Sequence, residues 1–253
     1  MKSDGAASQT LAAHSVALDL TRDALFLDLD GTLSPFAPAP EAVPFDPALS
    51  RLLAQISARA RNALAIISGR TIRDVDRIVG GAVRCVAGVH GLERRAADGA
   101  IERAPPHPNL AAARAALGTH SGGGVEIEDK NLSVAVHFRR APEKSAELRD
   151  AAVRIARANG LTVQFGHMVA EVRSPGPSKG DALRAYMRSP PFSGRRPIFV
   201  GDDLTDEHAF DAAALAGGLG VLVGPARDTR ATARLADVAA VRAWLRRHAE
   251  EGQ

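Results

Sequence analysis

The stretch ALFLDLDGT, residues 24–32, is a short apolar run that ends in two acids, a glycine and a threonine. An apolar run of this length is typical of a buried β-strand. Asp28 and Asp30 are two residues apart, so an extended backbone would place both carboxylates on one face. Two carboxylates this close repel each other, and one would protonate unless a cation lay between them. This stretch therefore predicts a strand with a cation-binding group at its carboxyl end.

Apolar runs and helical patterns alternate along the rest of the chain. Further buried strands are predicted at residues 63–67, 83–89, 198–200 and 219–223. Stripes of apolar residues at helical spacing separate these runs. Such alternation indicates a parallel sheet covered by helices on both faces, which is a doubly wound, Rossmann-like α/β fold.

The alternation breaks down in the middle of the chain. Residues 106–174 have the pattern helix, two strands, helix, two strands, which is typical of an α+β layer. We therefore predict an inserted α+β domain over residues 106–174 and a core formed by residues 24–105 and 175–253. Residues 1–23 are polar and rich in alanine, and we predict a flexible tail there.

Polar groups directly follow three of the predicted strands. Besides residues 28–32, they are Ser68-Gly69-Arg70 after the second strand and GDDLTD at residues 201–206 after a late strand. In an open α/β sheet, ligands bind beyond the carboxyl ends of the strands, so these groups are expected to meet at one edge. An all-oxygen acidic cluster favours Mg²⁺, and a divalent ion at such an edge suits phosphate chemistry.

The other polar groups at this edge suit a bound phosphate. The backbone N–H groups of Gly31 and Thr32 and the hydroxyl of Ser68 can bind phosphate oxygens. Lys179 begins a helix after the insert, and it is one of four lysines among the 32 basic residues of a chain that otherwise uses arginine. Taken singly, each aspartate could be a turn former or a helix cap. Their joint occurrence at matching strand ends favours a phosphate site.

Four elements stand in a fixed order along the chain: DLDGT at residues 28–32, Ser68, Lys179 and GDDLTD at residues 201–206. This order resembles the haloacid-dehalogenase-like (HAD) phosphatase superfamily. The insert lies between Ser68 and Lys179, where that superfamily places its larger type of cap domain. The resemblance therefore implies a HAD-like phosphatase core with a cap over residues 106–174. The catalytic residues that it implies are Asp28, Asp30, Ser68 and Lys179.

The resemblance also implies a role for each aspartate. Asp28 would be the nucleophile that forms an aspartyl-phosphate. Asp30 would be the general acid for the leaving alcohol and then the base for water. Mg²⁺ would lie on the Asp28 carboxylate, the Asp30 backbone carbonyl and Asp202, with Asp203 and Asp206 supporting the metal site from outside the coordination sphere.

Further segments look like the trehalose-6-phosphate phosphatase family. They are GVHGLE at residues 88–93, EDK at 128–130, EVRSPGPSKG at 171–180 and DDLTDE at 202–207. In that family, acidic and lysine side chains of the cap hold glucose hydroxyls, and the matching positions here are Glu128, Lys130 and Glu171. The substrate-binding residues that the resemblance implies are Gly31, Thr32, Gly69, Arg70, His90, Glu128, Lys130 and Glu171.

The positions outside the core motifs have ordinary structural alternatives. Glu128, Lys130 and Glu171 could belong to a solvated strand face, and His90 could equally be a core-facing or turn histidine. The scarcity of lysine favours a functional role for Lys130. With eight Phe, one Tyr and one Trp in the chain, there is little material for sugar stacking, so recognition of a sugar is expected to be mostly polar.

The resemblance implies a Mg²⁺-dependent phosphoric monoester hydrolase that converts trehalose 6-phosphate to trehalose and phosphate. Two kinds of alternative stay open. The first is another capped phosphatase of the superfamily, acting on sucrose phosphate or mannosyl-phosphoglycerate, or a phosphohexomutase. The second is a receiver-like, phospho-accepting signalling domain, which also has an acid cluster, a hydroxyl and a lysine. A receiver would have no cap and would lack the second aspartate that stands here at Asp30.

Composition limits the partners. The net charge is +3 and no basic run exceeds two residues, so with few aromatics we expect no nucleic acid partner. No apolar run reaches the roughly 20 residues of a membrane span, and we expect no membrane partner. The single cysteine, Cys85, excludes an intramolecular disulfide and favours the cytoplasm. We expect a monomer that binds a small sugar phosphate.

Overall fold

The structure is a computed structural model that describes residues 16–37 and 42–250. Its strands are β1 (Asp23–Leu27), β2 (Leu64–Ile67), β3 (Cys85–Gly88), β4 (Glu93–Arg95), β5 (Ile101–Arg103), β6 (Glu126–Asp129), β7 (Ser133–His137), β8 (Thr162–Gly166), β9 (Val169–Arg173), β10 (Arg196–Gly201), β11 (Leu219–Val223) and β12 (Ala233–Leu235). Its α-helices are α1 (Pro47–Arg59), α2 (Ile72–Val79), α3 (Leu110–Gly118), α4 (Ser145–Asn159), α5 (Lys179–Met187), α6 (Glu207–Leu215) and α7 (Val238–Glu250). No helix within these residues is long and apolar enough to span a membrane.

The larger sheet has the strand order β12-β11-β10-β1-β2-β3-β4-β5. The strands from β12 to β3 are parallel, and the β4–β5 hairpin extends the sheet in antiparallel fashion. Every residue of β1 is buried. Because successive strand residues point to opposite faces, both faces of the sheet are covered. The predicted doubly wound, Rossmann-like fold class is therefore confirmed.

A smaller antiparallel sheet with the order β6-β7-β9-β8 is formed by the inserted segment. Helices α3 and α4 cover one face of it, where Val134, Phe138 and Leu148 belong to an apolar cluster separate from the main core. On β7, Val134 and Val136 contribute to that cluster, whereas Ala135 between them faces the other way. We call this sheet with α3 and α4 the cap.

The residues before β1 differ from the prediction. Residues 1–15 of the predicted tail lie outside the described residues. From residue 16 onward the chain is packed, because Val16, Leu18 and Leu20 are buried against the main core. The indole N–H of Trp244 on α7 also donates to the Val16 carbonyl at 3.0 Å. The prediction of a flexible tail is therefore wrong for residues 16–23, whose spaced apolar side chains reach the core.

This packing predicts a stability difference between two leucines. Leu20 is 6% exposed and Leu215, at the end of α6, is 80% exposed. We expect Leu20→Ala to lower the free energy of unfolding by about 2–5 kcal/mol because it leaves a cavity, and Leu215→Ala to change it by less than about 0.5 kcal/mol. Urea unfolding measures both. Equal effects of the two substitutions would mean that the segment before β1 does not stabilise the fold.

Candidate active site

Three carboxylates meet at the carboxyl ends of two neighbouring strands. Asp28 follows β1, and Asp202 and Asp206 follow β10, which pairs with β1 in parallel register. Each of the three offers one carboxylate oxygen, and these oxygens all lie within 4.8 Å of one another. The strand-end arrangement predicted from the sequence thus produces a compact acidic cluster.

Lys179 enters this cluster from the first position of α5. The helix begins there because Ser178 and Asp181 form a reciprocal capping box around its first turn. The Lys179 ammonium lies 3.0 Å from Asp28 Oδ1 and donates to Asp206 Oδ1 at 2.6 Å. Three carboxylates against one ammonium leave an excess of two negative charges, which is the charge that a divalent cation balances.

The pKa values of the cluster residues also indicate a site for a cation. Burial raises the pKa of Asp28 well above its usual value. Burial, together with the Asp206 carboxylate, raises the pKa of Asp202 to about 8. Burial alone would lower the pKa of Lys179, but Asp206 and Asp28 raise it, so the ammonium stays charged. The raised pKa values mean that these buried carboxylates favour the protonated form unless a cation offsets their charge, so the cluster fits a hard cation that would replace the protons.

Gly31 and Thr32 hold Asp202 in this cluster. Gly31 has φ +80°, and a Cβ built on it would lie 2.3–2.7 Å from the Asp202 carboxylate group. A side chain is therefore excluded there, both by the contact and by the backbone conformation. The Thr32 hydroxyl donates to Asp202 Oδ1 at 3.1 Å.

Asp30 is held by Arg70. The guanidinium makes two parallel hydrogen bonds to the carboxylate, Nε to Oδ2 at 2.6 Å and Nη2 to Oδ1 at 2.8 Å. Such a two-point pair fixes the orientation of the carboxylate. The Arg70 backbone N–H donates to the Ser68 hydroxyl oxygen at 3.2 Å, so the loop after β2 links Asp30 to Ser68. Arg70, predicted to contact substrate, thus also positions Asp30.

The register of the cap sheet places two carboxylates on one face. Ala135 on β7 pairs with Glu128 on β6 and with Glu171 on β9. Lys130 lies between the two carboxylates, with its ammonium 2.9 Å from Glu171 Oε2 and 3.7 Å from Glu128 Oε2. The same ammonium donates to the Gly69 carbonyl of the core at 2.9 Å. Lys130 therefore joins the cap to the loop that carries Ser68.

Charges persist in this part of the cap despite burial. Burial would raise the pKa of Glu171, but Lys130 and His90 hold it well below its usual value. Burial would lower the pKa of Lys130, but Glu171 and Glu128 raise it. Glu171 Oε1 is buried and makes no hydrogen bond of good geometry among the described residues, although the nearby Ser133 hydroxyl helps to lower the pKa of Glu171. A ligand hydroxyl could satisfy this oxygen.

His90 comes from the core and reaches the same cap carboxylate. Its Nε2 lies 3.4 Å from Glu171 Oε2, and the Gln164 amide nitrogen lies 3.1 Å from its Nδ1. Burial lowers the pKa of His90, so the ring is neutral near pH 7. A Cβ on Gly69 would lie 2.6 Å from this ring. His90 and the preceding Val89 both have positive φ, a strained conformation for residues with side chains.

One pocket between core and cap brings most of the predicted side chains together. Its lining includes Asp28, Asp30, Ser68, Gly69, Arg70, His90, Glu128, Lys130, Glu171, Lys179 and Asp203. Gly31, Thr32, Asp202 and Asp206 adjoin this lining through their contacts with Asp28 and with one another. Their roles in catalysis and binding remain predictions.

Comparison with known proteins identifies the family. The model of the trehalose-phosphatase family matches residues 26–239. The chain belongs to the trehalose-phosphatase family. It is 40% identical over 215 residues to a probable trehalose-phosphate phosphatase of Sinorhizobium fredii, covering 83% of this chain and 81% of the relative. It is 37% identical over 227 residues to the trehalose-6-phosphate phosphatase of Escherichia coli, covering 88% of this chain and 85% of that one.

A solved structure shares the fold of this trehalose-phosphatase family member. A crystal structure of a trehalose-6-phosphate phosphatase related protein superposes with a TM-score of 0.74 at 29% identity, covering 90% of this chain and 97% of that one. These likenesses confirm the resemblance to the trehalose-6-phosphate phosphatases.

The sequence analysis did not predict seven of the residues that line the pocket, among them Phe36, His137, Arg139 and His167. The Phe36 ring stacks on the His167 ring with centroids 4.9 Å apart, and the Arg139 guanidinium lies 5.0 Å from the Phe36 centroid. Arg139 also donates to the Ala37 carbonyl, so the cap holds the core loop after β1. His137 Nε2 lies 2.8 Å from Glu128 Oε2. The alternation of β7 could have revealed His137, which lies two residues after Ala135, whereas Arg139 resembles the many other arginines.

Asp203 and Asp206 have different surroundings. Asp203, predicted to support the metal, accepts hydrogen bonds from the backbone N–H groups of Leu204 at 2.7 Å and His167 at 3.2 Å, and so reaches the cap. Asp206 belongs to the acidic cluster, but its oxygens accept from Lys179 and from the Asp203 backbone N–H. Asp206 therefore connects Lys179 to the Asp203 backbone, and its supporting role at a metal site stays a prediction.

The acidic cluster predicts how metal-free stability depends on pH. The pKa of Asp202 is about 8 in the folded protein against an ordinary 3.8, so folding takes up a proton between these values. The stability linked to that proton is present below pH 3.8 and is lost as the pH rises through about 8. We expect Mg²⁺ to raise the unfolding temperature more at about pH 9 than at about pH 6.

Thermal unfolding in EDTA and in Mg²⁺ at both pH values measures this effect. Asp202→Asn is the control, because an amide cannot titrate and its pH dependence is expected to be smaller. A Mg²⁺ effect of equal size at both pH values would show that the cluster does not exchange protons for the metal.

Proposed function

We propose that this protein is a Mg²⁺-dependent phosphatase that hydrolyses trehalose 6-phosphate to trehalose and phosphate through an aspartyl-phosphate. The observation that carries the proposal is the pocket between core and cap. On the core side, the buried pair of Asp28 and Lys179 lines this pocket. On the cap side, Glu128, Lys130 and Glu171 line it. The names of the relatives support the same substrate.

The metal site follows from the acidic cluster. The Asp28 carboxylate, the Asp30 backbone carbonyl and Asp202 would hold Mg²⁺, supported by Asp203 and Asp206. The ion would supply positive charge beside the phosphoryl group. The two excess negative charges of the cluster support this assignment.

In the first half of the reaction, an Asp28 carboxylate oxygen attacks phosphorus and the bond from phosphorus to the sugar oxygen breaks. Asp30 gives a proton to that leaving oxygen, as a general acid does. The Ser68 hydroxyl and the backbone N–H groups of Gly31 and Thr32 bind phosphate oxygens. Lys179 opposes the rise that burial causes in the pKa of Asp28 and orients its carboxylate, which their 3.0 Å contact supports.

In the second half, water attacks the phosphorus of the aspartyl-phosphate. Asp30 takes the proton from this water, and the bond between phosphorus and the Asp28 oxygen breaks to release phosphate. Both steps need the Asp30 carboxylate at a fixed place near the phosphorus. The two hydrogen bonds from Arg70 support such a place, because they leave the carboxylate little freedom.

The cap groups would select the sugar. Carboxylates accept hydrogen bonds from hydroxyls and an ammonium donates them, so Glu128, Lys130 and Glu171 suit a polyhydroxylated ring. Glu171 Oε1, which makes no hydrogen bond of good geometry among the described residues, supports this assignment. Neutral His90 and the Gly69–Arg70 segment border the same space.

We further propose that the enzyme acts as a cytoplasmic monomer on a small sugar phosphate, without nucleic acid. Core and cap of one chain supply every group assigned above, so no partner chain is needed. Cys85 is free and buried, and burial raises its pKa to about 11, so it stays a thiol that packs in the core. A free thiol in this role suits a reducing compartment.

The first test is phosphate release from trehalose 6-phosphate in the presence of Mg²⁺, with Asp28→Asn as the inactive variant. The amide keeps the shape of the side chain but has no nucleophilic carboxylate. We expect kcat to fall by a factor on the order of a thousand or more while the protein stays folded. Substantial turnover by folded Asp28→Asn protein would exclude the aspartyl-phosphate route.

A second test addresses selectivity through Lys130→Ala. A hydrogen bond to a charged group contributes about 1.5–3 kcal/mol, so we expect kcat/KM for trehalose 6-phosphate to fall roughly tenfold or more. Hydrolysis of p-nitrophenyl phosphate is expected to change little, since a small aryl group does not reach the cap.

Lys144→Ala is the matched control. Lys144 also lies in the cap, but it precedes α4 and does not line the pocket. It is expected to leave both substrates unaffected. If Lys130→Ala lowered both activities equally, Lys130 would stabilise the cap rather than recognise the sugar.

A further inference from the structure

The loop between β11 and β12 lies against the backbone of the acidic cluster. From this loop, the Arg227 guanidinium donates to the Asp203 carbonyl at 3.0 Å and to the Asp202 carbonyl at 3.4 Å. Arg227 itself is absent from the pocket lining and from the acidic cluster. It therefore touches the site through two backbone carbonyls rather than through a reacting group.

Glu207, the first residue of α6, fixes Arg227 in this position. Its Oε1 accepts from Arg227 Nη1 at 2.5 Å and from the Thr229 hydroxyl at 2.9 Å, and its Oε2 accepts from the Arg230 backbone N–H at 2.7 Å. Both side chains of the ion pair are largely buried, with 26% of Arg227 and 19% of Glu207 exposed. A pair that is partly removed from water and shares a network holds its geometry better than an isolated surface pair.

The two carbonyls belong to the segment that carries the Asp202 carboxylate. On the other side of that segment, the Asp203 backbone N–H donates to Asp206 Oδ2 at 2.9 Å. The peptide group between Asp202 and Asp203 is thus held at its N–H by Asp206 and at its carbonyl by Arg227. Rotation of this peptide would displace the Asp202 carboxylate, which also accepts the hydrogen bond from the Thr32 hydroxyl.

We infer that Arg227 is a positioning residue of the metal site, which keeps the Asp202 carboxylate in place by holding the carbonyls of residues 202 and 203. This inference rests on the proposed Mg²⁺ site and deepens it. The guanidinium reaches Glu207 with one nitrogen and the two carbonyls with the other. Lysine would carry the same charge but could not span these partners with a planar fork.

The same loop contains a matched control. Arg230 Nη1 pairs with Asp211 Oδ1 at 2.8 Å, one turn along α6 from Glu207. Both of these side chains are exposed, 65% and 44%. Within the described part of the chain, the Arg230 side chain donates to Asp211 and makes no hydrogen bond to residues 201–206. Arg230→Ala therefore removes an arginine–carboxylate pair between the loop and α6 without touching the carbonyls of the acidic cluster.

The test is direct Mg²⁺ binding to the full chain by titration calorimetry, without substrate, for wild type and for Arg227→Ala, Arg227→Lys and Arg230→Ala. We expect Arg227→Ala to raise the Mg²⁺ Kd by about tenfold or more, as losses of outer partners of metal ligands do. Arg227→Lys is expected to rescue part of this loss, and Arg230→Ala to bind as wild type does. At saturating Mg²⁺, the KM for trehalose 6-phosphate is expected to stay within about twofold, since the cap contacts are unchanged.

Glu207→Gln provides a second variant in case Arg227→Ala does not fold. It weakens the anchor of Arg227 while keeping its shape, and it is expected to raise the Kd in the same direction by a smaller factor. An unchanged Mg²⁺ Kd in folded Arg227→Ala would overturn the inference. If Arg227→Ala does not fold, an unchanged Mg²⁺ Kd in Glu207→Gln would overturn it. An equal loss in Arg230→Ala would overturn it too.

The outcomes also separate this inference from the proposed function. Wild-type protein that bound no Mg²⁺ would overturn the metal site and the inference together. Wild-type protein that bound Mg²⁺ and released phosphate, with an unchanged Kd in Arg227→Ala, would overturn the inference alone.

Discussion

The site depends on the buried ion pairs that the Lys179 ammonium forms with Asp28 and Asp206. The ammonium joins the residue after β1, Asp28, to Asp206 in the turn after β10. A buried charge without its partners would cost several kcal/mol. The ends of β1 and β10 and the start of α5 must therefore converge before the fold is stable. The capping box of α5 fixes Lys179 at the first position of the helix. It thereby places the ammonium between the ends of β1 and β10.

The sequence predicts which acids lie at the ends of the parallel strands, whereas their chemical roles stay predictions. The acids at residues 28, 30, 202 and 206 were found because parallel strands bring their carboxyl ends to one edge. Contacts between segments that are distant in the chain leave no periodic pattern in the sequence from which they could be predicted. The pairing of Arg70 with Asp30 and the bond from Asp203 to the cap depend on how loops meet after folding. For the same reason, the packing of residues 16–23 was missed, since three spaced apolar residues in a polar stretch do not predict burial.

The cap and the core meet at residues that are also assigned to chemistry or recognition. Lys130 bonds the Gly69 carbonyl, and Asp203 accepts from the His167 backbone on the cap. In the proposed function, the groups that bind the sugar and the groups that join cap and core are therefore partly the same. Binding energy from the sugar can then be used to complete the site, and recognition of the remote part of a substrate affects turnover as well as affinity. Phe36 and Arg139 add a contact at the mouth of the pocket.

The use of lysine and arginine in this chain follows the geometry of their partners. Arginine forms planar, two-point pairs, as Arg70 does with Asp30 and Arg95 with Asp76. Lys130 and Lys179 instead meet acceptors that converge from separate segments. Three N–H donors on one compact nitrogen suit acceptors that crowd around a single point, whereas the donors of a guanidinium are spread over a wider, flat fork. A chain with four lysines among 32 basic residues thus places two of them where charges must converge in a small buried space.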